Sequence, residues 1–258
     1  MKHTRIMLIG SLCMVCLIAA VMPVGAAPVN GTAWNTNPEH ITAMQAHVAY
    51  VGAIGQAQMN GAITYIGSIS NGAGTGQLSS LESQFTGTES SVQTMTTADQ
   101  IKAAETQMGA DRKEFMTNAK GSLTEYNGTA KALRESVNAS VIAQSGTIQA
   151  LKNTWWTDRE TARMDVFATN DQNRNNLLGK LSAKGIDVSQ AQAVENQIQQ
   201  EGTALKAAFG SQDNNAVKAA NQQLSTLCTQ FRDIVKGYRT AHPVTTTVTP
   251  AAAVPVSV

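Results

Sequence analysis

Residues 217–238 read VKAANQQLSTLCTQFRDIVKGY, and this stretch decides the fold class. Apolar side chains recur in it every three or four positions, from Val217 through Leu224 and Phe231 to Tyr238, with polar and charged residues between them. This spacing places the apolar side chains on one face of an α-helix. The stretch therefore predicts an amphipathic helix, and with it an all-α protein.

A second helix of the same kind is predicted just upstream. Its apolar positions keep the helical spacing, and they are Ala191, Val194, Ile198, Leu205 and Phe209. Asp187 or Ser189 is the predicted N-cap, and Gly210 stands where a helix ends. Because only Gly210 to Asp213 separates the two stretches, we expect an antiparallel helical hairpin.

A longer helical pattern precedes the hairpin and runs from Thr97 to Lys184. Thr97 and Gln100 form a capping-box pair at its start, and Lys184-Gly185 is typical of a helix end. Two turn dipeptides fall inside the pattern, Asn127-Gly128 and the weaker Ser145-Gly146. We expect one long helix, with a kink as the alternative, and a helix of this length is typical of a rod or coiled coil.

The chain before residue 97 is rich in small residues and nearly free of charge. No Lys or Arg occurs between Arg5 and Lys102. Asn37-Pro38-Glu39 predicts a helix start, and the glycines that follow cost such a helix about 1 kcal/mol each unless a neighbour packs closely against them. A strand is the alternative for residues 62–69, and a second helix is expected from Leu78 onward.

The N-terminus has the layout of an export signal. Lys2 and Arg5 precede an uninterrupted apolar run from Ile6 to Val24, and small residues lead to a predicted cleavage site after Ala26. Because the apolar run approaches the length of a bilayer-spanning helix, an uncleaved anchor is the alternative. In both cases the rest of the chain lies outside the cytoplasm. No later segment is long and apolar enough to span a membrane.

These patterns divide the chain into four regions. Residues 1–26 are a signal peptide or anchor, and residues 27–96 are a helical region rich in small residues. Residues 97–239 hold the long helix and the C-terminal hairpin, and residues 240–258 are a disordered tail of Thr, Pro, Ala and Val. The expected architecture is an elongated antiparallel helical bundle with coiled-coil-like packing.

Composition excludes several classes of function. Removing Lys2 and Arg5 from the 19 basic residues leaves 17 against 18 acidic residues, a net charge of −1 that does not attract nucleic acid or anionic lipid. Cys228 is the one cysteine after the export segment, and it suits a buried small side chain better than a disulfide between chains. No catalytic triad, carboxylate pair or phosphate-binding loop can be assembled, so we expect neither enzyme activity nor a cofactor.

His40, Met44 and His47 share one side of the first predicted helix. Imidazole and thioether groups are ligands of soft cations such as copper, which makes the three residues candidate metal ligands. His40 and His47 would lie about 10 Å apart along the helix axis, however. We therefore interpret all three as neighbours of the core, with no metal bound.

Two adjacent tryptophans stand near arginines in the middle of the chain. Neighbouring side chains on a helix point about 100° apart, so Trp155 is expected on the apolar face and Trp156 toward its rim. Aromatic residues beside arginines are typical of protein–protein contacts, which makes Trp156, Arg159 and Arg163 candidate partner contacts. Arg159 and Arg163 can pair with Glu160 or Asp158, or stack on an indole. The pattern favours the other interpretation, a large core filler clamped by ion pairs.

Three asparagines begin triplets that are acceptors for N-glycosylation in an exported chain. They are Asn30, Asn127 and Asn138. Such triplets also arise by chance in a sequence rich in Asn and Thr. Each asparagine is therefore a candidate and no more.

Between about residue 133 and residue 238 one set of residues stands out. It consists of Trp155-Trp156, Arg159-Glu160, Asp165-Val166-Phe167, Leu177, Leu181 and Lys184-Gly185-Ile186-Asp187, followed by the hairpin. The set resembles a loose class of uncharacterised, exported all-helical proteins of methanogenic archaea. This resemblance implies an envelope-associated helical protein without a known activity.

A second family shares a shorter motif with the chain. Leu123-Thr124-Glu125-Tyr126-Asn127 is similar to the Leu-Thr-x-x-Gln repeat of Spy-like periplasmic chaperones. The last residue differs and the motif is not repeated, which disfavours membership of that family.

Two functions fit these patterns. The first is a structural or scaffolding protein of the cell envelope that associates with proteins, mainly with itself. The alternative is an extracytoplasmic binding module, either chaperone-like or metal-responsive. A scaffold buries its apolar stripes within itself or against a copy, whereas a binding module leaves an apolar patch of about several hundred Å² open.

Overall fold

The computed structural model describes residues 35–241, which form seven α-helices. They are α1 (Pro38–Ser70), α2 (Gly76–Val92), α3 (Ala98–Glu125), α4 (Ala130–Ala143), α5 (Ser145–Ser182), α6 (Ser189–Gly210) and α7 (Asn214–Ala241). No strand occurs among the described residues, so the all-α prediction is confirmed. The strand alternative for residues 62–69 is wrong, because these residues lie in α1.

Some predictions fall outside the described residues. The export signal at residues 1–26, with its cleavage site, is one of them. The glycosylation triplet at Asn30 is another, and so is the predicted disordered tail beyond Ala241. Thr240 and Ala241, which the prediction placed in that tail, lie in α7 instead.

The predicted side chains cap the starts of two helices. The Oδ1 atom of Asn37 accepts a hydrogen bond from the backbone N–H of His40 at 2.7 Å. Thr97 Oγ1 accepts from the N–H of Gln100 at 3.3 Å, and Gln100 Oε1 accepts from the N–H of Thr96 at 3.2 Å. These bonds satisfy N–H groups that the first turn of a helix leaves without a partner. The predicted starts of α1 and α3 are therefore confirmed.

The expected single helix over residues 97–184 is wrong, because the chain reverses direction between α3 and α4. Asn127 has a φ of 52°, in the left-handed region that Asn tolerates better than most residues. The N–H of Gly128 bonds to the carbonyl of Leu123 at 2.8 Å. A Cβ on Gly128 would lie 2.6 Å from Cδ1 of Ile69. The turn dipeptide is thus a helix end packed against α1.

The second predicted interruption has a milder form. Only Gln144, with φ −98° and ψ 6°, separates α4 from α5. Both helices run antiparallel to α1, since Gly61 lies against Val137 of α4 and Tyr50 lies against Trp155 of α5. α4 and α5 therefore continue in one direction along α1.

α1 is the central helix and packs against α2, α3, α4 and α5. Its glycines let these neighbours approach. A Cβ on Gly55 would lie 2.6 Å from the Phe85 ring, and a Cβ on Gly61 would lie 2.6 Å from the Cα atom of Val137. The prediction that this glycine-rich helix forms where neighbours pack closely is confirmed.

The first cluster of buried apolar side chains joins α1, α2, α3 and α4. Its members that are at most 1% exposed include Val48, Ile66, Leu78, Ile101 and Phe115. This cluster extends across the boundary that composition predicts at residue 96. α1 and α2 precede that boundary, whereas α3 and α4 follow it.

The second cluster joins α5, α6 and α7. Its most enclosed members include Ala191, Ile198, Leu205 and Val217. α6 and α7 pack against each other across a short link, so the predicted hairpin is confirmed.

The ends of the hairpin helices show how the link is held. Asp213 Oδ1 accepts hydrogen bonds from the N–H groups of Asn215 and Ala216 at 2.8 and 3.1 Å, which caps α7. At the start of α6, Asp187 Oδ1 accepts from the N–H of Ser189 at 2.9 Å. Neither predicted residue takes the cap position of α6, which belongs to the residue between them.

α5 connects the helices of the first cluster, α1 to α4, with α6 and α7 of the second cluster. Its first part lies along α1, and its second part packs against α6 and reaches α7 through side chains. Within residues 35–241, no helix combines the length and the apolar character that crossing a bilayer requires.

Candidate functional site

The two clusters meet around the adjacent tryptophans of α5. The Trp155 ring stacks on Tyr50 of α1, with centroids 5.6 Å apart and an interplanar angle of 11°, and its centroid lies 4.8 Å from that of His47. The Trp156 ring meets Phe209 of α6 edge-on, with centroids 6.1 Å apart. Trp155 therefore joins α5 to α1, and Trp156 joins α5 to α6 within the second cluster.

The guanidinium of Arg159 lies over both tryptophans. Its Cζ atom is 5.6 Å from the Trp155 ring centroid, 5.0 Å from that of Trp156 and 5.5 Å from that of Phe209. A cation over an aromatic face is attracted by the ring electrons, and Nη1 also donates to Asn214 Oδ1 at 2.8 Å. Burial lowers the pKa of Arg159, but a guanidinium keeps its charge in proteins. We name His47, Tyr50, Trp155, Trp156, Arg159 and Phe209 the aromatic junction.

A polar contact between two side chains connects α3 to the aromatic junction. His47 Nδ1 lies 3.0 Å from Glu105 Oε1, and the two side chains are 31% and 18% exposed. The same imidazole contacts the Trp155 ring. His47 therefore brings α1, α3 and α5 together at one point.

The predicted rim position of Trp156 is wrong, because the residue is 3% exposed and belongs to the second cluster. Arg163 also has a different partner from the predicted carboxylates: its Nε donates to Asn221 Oδ1 at 2.9 Å. Burial lowers the pKa of Arg163. Trp156, Arg159 and Arg163 thus hold α6 and α7 against α5, and a contact between Trp156 and another protein would require the junction to open.

The three candidate metal ligands have different surroundings. Burial, and then the charge of Lys102, lowers the pKa of His40 to about 4. Met44 packs against the first cluster, and His47 lies in the aromatic junction. Across residues 35–241, no three His, Cys, Asp or Glu side chains converge where they could hold a metal ion.

Two of the three glycosylation candidates lie in the described part of the chain. Asn127 is exposed in the turn after α3. Thr129 of the same triplet caps α4, where its Oγ1 accepts from the N–H of Ala132 at 3.2 Å. Asn138 is exposed on α4. Both asparagines therefore reach solvent, and their modification stays a prediction.

The second cluster holds a buried ion pair that the sequence patterns do not predict. Glu195 is 0% exposed, and its Oε2 accepts from Arg174 Nε at 2.6 Å. Arg174 Nη2 also lies 3.5 Å from Asp171 Oδ1. The signal in the sequence is position, since Glu195 stands on the apolar stripe of α6 between Ala191 and Ile198. A charge on such a stripe indicates a buried partner on the facing helix.

Cys228 lies on α7 beside the same cluster. Its thiol is free and half-buried, and it packs against the apolar side chains there. Burial raises the pKa of the thiol. The thiolate form is thereby disfavoured, which suits the predicted packing role.

An open depression lies beside the aromatic junction, between the start of α1 and the middle of α5. Its lining consists of Pro38, Glu39, Thr42, Asp158 and Thr161. Burial raises the pKa of Asp158. The lining offers two carboxylates and two hydroxyls without a cationic side chain, so it does not favour an anionic ligand.

Comparison of the chain with known protein families, curated protein sequences and solved structures finds no match. The function of the chain therefore has to follow from its own geometry. The most distinctive element of that geometry is the aromatic junction between the two clusters.

Proposed function

We propose that this chain is an exported structural or scaffolding protein of the cell envelope that associates with other proteins, mainly with copies of itself. Its helices form an elongated antiparallel bundle with coiled-coil-like contacts, and its N-terminal segment directs it out of the cytoplasm. A scaffold needs a fixed shape, because the spacing of its surfaces decides how copies meet.

The observation that carries this proposal is the position of α5 between the two clusters. α5 has 38 residues, which extend over roughly 57 Å at the usual rise per residue. Its Trp155 stacks on α1, and its Arg174 pairs with Glu195 of α6. One continuous helix with partners at both places resists bending between them, and the aromatic junction adds contacts where the clusters meet.

The alternative, a chaperone-like or metal-responsive binding module, has less support. A chaperone-like surface needs a contiguous apolar patch. In the described part of the chain, Ile142 is the exposed large apolar side chain, at 66%, while the apolar stripes lie in the two clusters. This distribution of apolar surface favours the scaffold.

Small-angle X-ray scattering and sedimentation velocity of residues 27–258 test the proposal. We expect an extended distance distribution and a sedimentation coefficient that rises with protein concentration. We also expect no response to a hydrophobic dye or to copper. A compact monomer that binds the dye or copper would contradict the scaffold and favour the binding module.

A matched pair of variants tests whether the aromatic junction sets the shape. Trp155→Ala removes the ring that contacts Tyr50, His47 and Arg159, whereas Thr154→Ala changes an exposed neighbour on the same helix. We expect the Trp155 variant to keep its helical circular dichroism and to show a broader distance distribution. The Thr154 variant should match the parent. An unchanged distribution in both variants would show that the junction does not fix the shape.

Export is tested separately, by N-terminal sequencing of protein recovered from cell fractions. We expect Ala27 as the first residue in the envelope or external fraction. An intact N-terminus in the membrane fraction would indicate the anchor alternative. Recovery of the full chain from the cytoplasm alone would contradict export.

A further inference from the structure

Glu195 is the group that the proposed scaffold role leaves unexplained. Its side chain lies wholly inside the second cluster, at 0% exposure. Oε2 has Arg174 as its partner, whereas Oε1 is buried without a hydrogen-bond partner. A buried carboxylate with an unpartnered oxygen is costly, because water no longer stabilises its charge.

The charges on the facing helices only partly compensate Glu195. On α5, Arg174 is shared with Asp171, and Arg163 is engaged by Asn221. On α7, the Cys228 thiol interacts electrostatically with Glu195, and Arg232 acts on Cys228 in turn. Two carboxylates therefore compete for one guanidinium in the space between α5 and α6.

A proton on Glu195 would relieve this competition. Burying a neutral carboxyl costs less free energy than burying a carboxylate. Once Glu195 is neutral, Arg174 can pair with Asp171 alone. We propose that the packing of α6 against α5 is coupled to the uptake of one proton by Glu195. The hairpin of α6 and α7 is thereby a pH-responsive element, held most firmly in mild acid.

The electrostatics of the site support this coupling. Burial raises the pKa of Glu195 to about 7, with Arg174 opposing the shift and Asp171 adding to it. The pKa of Asp171 is lowered, first by a hydrogen bond that the protonated Glu195 carboxyl donates to it, and the hydrogen bond from Gln199 and the charge of Arg174 act in the same direction. Of the two carboxyl groups, Glu195 is therefore the one that takes the proton.

The direction of the effect follows from linkage. The folded chain holds the Glu195 proton up to a pH of about 7, whereas the ordinary pKa of Glu is 4.5. The contribution to stability is therefore fully present below about pH 4.5 and is lost as the pH rises through about 7.

Amide hydrogen exchange of residues 27–258 between about pH 5 and pH 8 tests the proposal, after correction for intrinsic exchange rates. We expect the protection of α6 to fall with rising pH by up to about tenfold per pH unit, the limit for one proton. Glu195→Gln carries no titrating proton and should remove this fall. Glu201→Gln, on the same helix, is the matched control and should retain it.

Equal slopes in the parent chain and in Glu195→Gln would overturn the proposal. Should Glu195→Gln fail to fold, the test uses the parent chain. The chemical shift of the Glu195 side-chain carboxyl carbon is then followed against pH by nuclear magnetic resonance. A titration midpoint near 7 supports proton uptake by the folded hairpin. A midpoint near 4.5 contradicts it.

Discussion

The two clusters pack their helices in different ways. In the first cluster, neighbours approach the glycines of α1: the Phe85 ring lies against Gly55, and the α4 backbone at Val137 lies against Gly61. In the second cluster, large apolar side chains such as Leu205 fill the space between helices, together with one buried ion pair. Small residues bring backbones together and fix their distance, whereas large side chains hold the backbones apart and leave room for a charged group.

Adding a side chain to a glycine consequently has a different effect in each cluster. A Cβ added at Gly61 would meet backbone atoms, 2.6 Å from Val137 Cα and 2.8 Å from the carbonyl oxygen of Ser136. A Cβ added at Gly202 would meet the ring of Phe167. A ring at the end of a side chain can turn aside, but a backbone held in a packed helix cannot.

The largest effects on stability are expected from removing one large buried side chain from each cluster. Phe115→Ala in the first cluster should lower the free energy of unfolding by about 3–5 kcal/mol, and Leu205→Ala in the second should lower it by about 2–5 kcal/mol. Because α5 takes part in both halves, we expect one cooperative transition in urea for each variant, shifted as a whole.

Ile142→Ala is the control for these two substitutions, since Ile142 is 66% exposed and should change stability by about 0.5 kcal/mol or less. Two separate transitions, of which each substitution shifts only one, would show that the clusters unfold independently.

Adding one methyl group to a glycine compares the two kinds of packing directly. Gly61→Ala should lower the free energy of unfolding by about 1–3 kcal/mol, because the backbone of α4 has to shift. Gly202→Ala should cost less, since Phe167 can move. The control is Gly87→Ala, where a Cβ meets nothing within 4 Å, and it should stabilise α2 by up to about 1 kcal/mol. A larger loss at Gly202 than at Gly61 would reverse the comparison.

A smaller effect concerns the carboxyl group of Glu89, between α1 and α2. Glu89 accepts a hydrogen bond from Gln56 Nε2 at 2.8 Å and faces Gly52, and burial raises its pKa from 4.5 to about 7. Its contribution to stability is therefore present below about pH 4.5 and is lost as the pH rises through about 7. Glu89→Gln should flatten this part of the pH dependence in urea titrations.

Glu89 is half-buried, so solvent screening should make its effect smaller than that of Glu195. A Glu89→Gln variant with the same pH dependence as the parent would contradict this assignment.

An effect of the opposite sign is expected on the acid side, at His40. Burial, and then Lys102, lowers its pKa from 6.5 to about 4. The neutral imidazole therefore contributes stability that is present above about pH 6.5 and lost as the pH falls through about 4. His40→Gln should reduce the loss of stability between about pH 7 and pH 4, measured by thermal unfolding. If the His40→Gln variant loses as much thermal stability as the parent between about pH 7 and pH 4, His40 does not cause this loss.

Local patterns predicted the helical class and the starts of α1 and α3, since each depends on neighbours in the sequence. Asn37 and Thr97 bond to N–H groups three residues later, and periodic apolar residues mark the buried faces. The reversal after α3 depends instead on contacts far along the chain. Asn127-Gly128 is compatible with a kink or a turn, and packing of Gly128 near Tyr65 and Ile69 of α1 decides for the turn.

The aromatic junction could be predicted only in part for the same reason. Trp155 and Trp156 point in different directions on a helix, and a helix with one apolar neighbour buries just one of them. α5 has neighbours on two sides at this level, so both rings find partners. Glu195 was detectable by its place on an apolar stripe, but its partner Arg174 belongs to another helix whose register the sequence does not specify.

The place of α1 at the centre has a consequence for how the chain is made. Synthesis proceeds from the N-terminus, so α1 leaves the ribosome long before Trp155 of α5 exists. One flank of α1, with Gly61 and Tyr50, then stays bare until its last neighbours emerge, and closing so long a loop is slow. A nascent chain halted between α4 and α5 would therefore expose the face of α1 that holds His47 and Tyr50 to unrelated chains nearby.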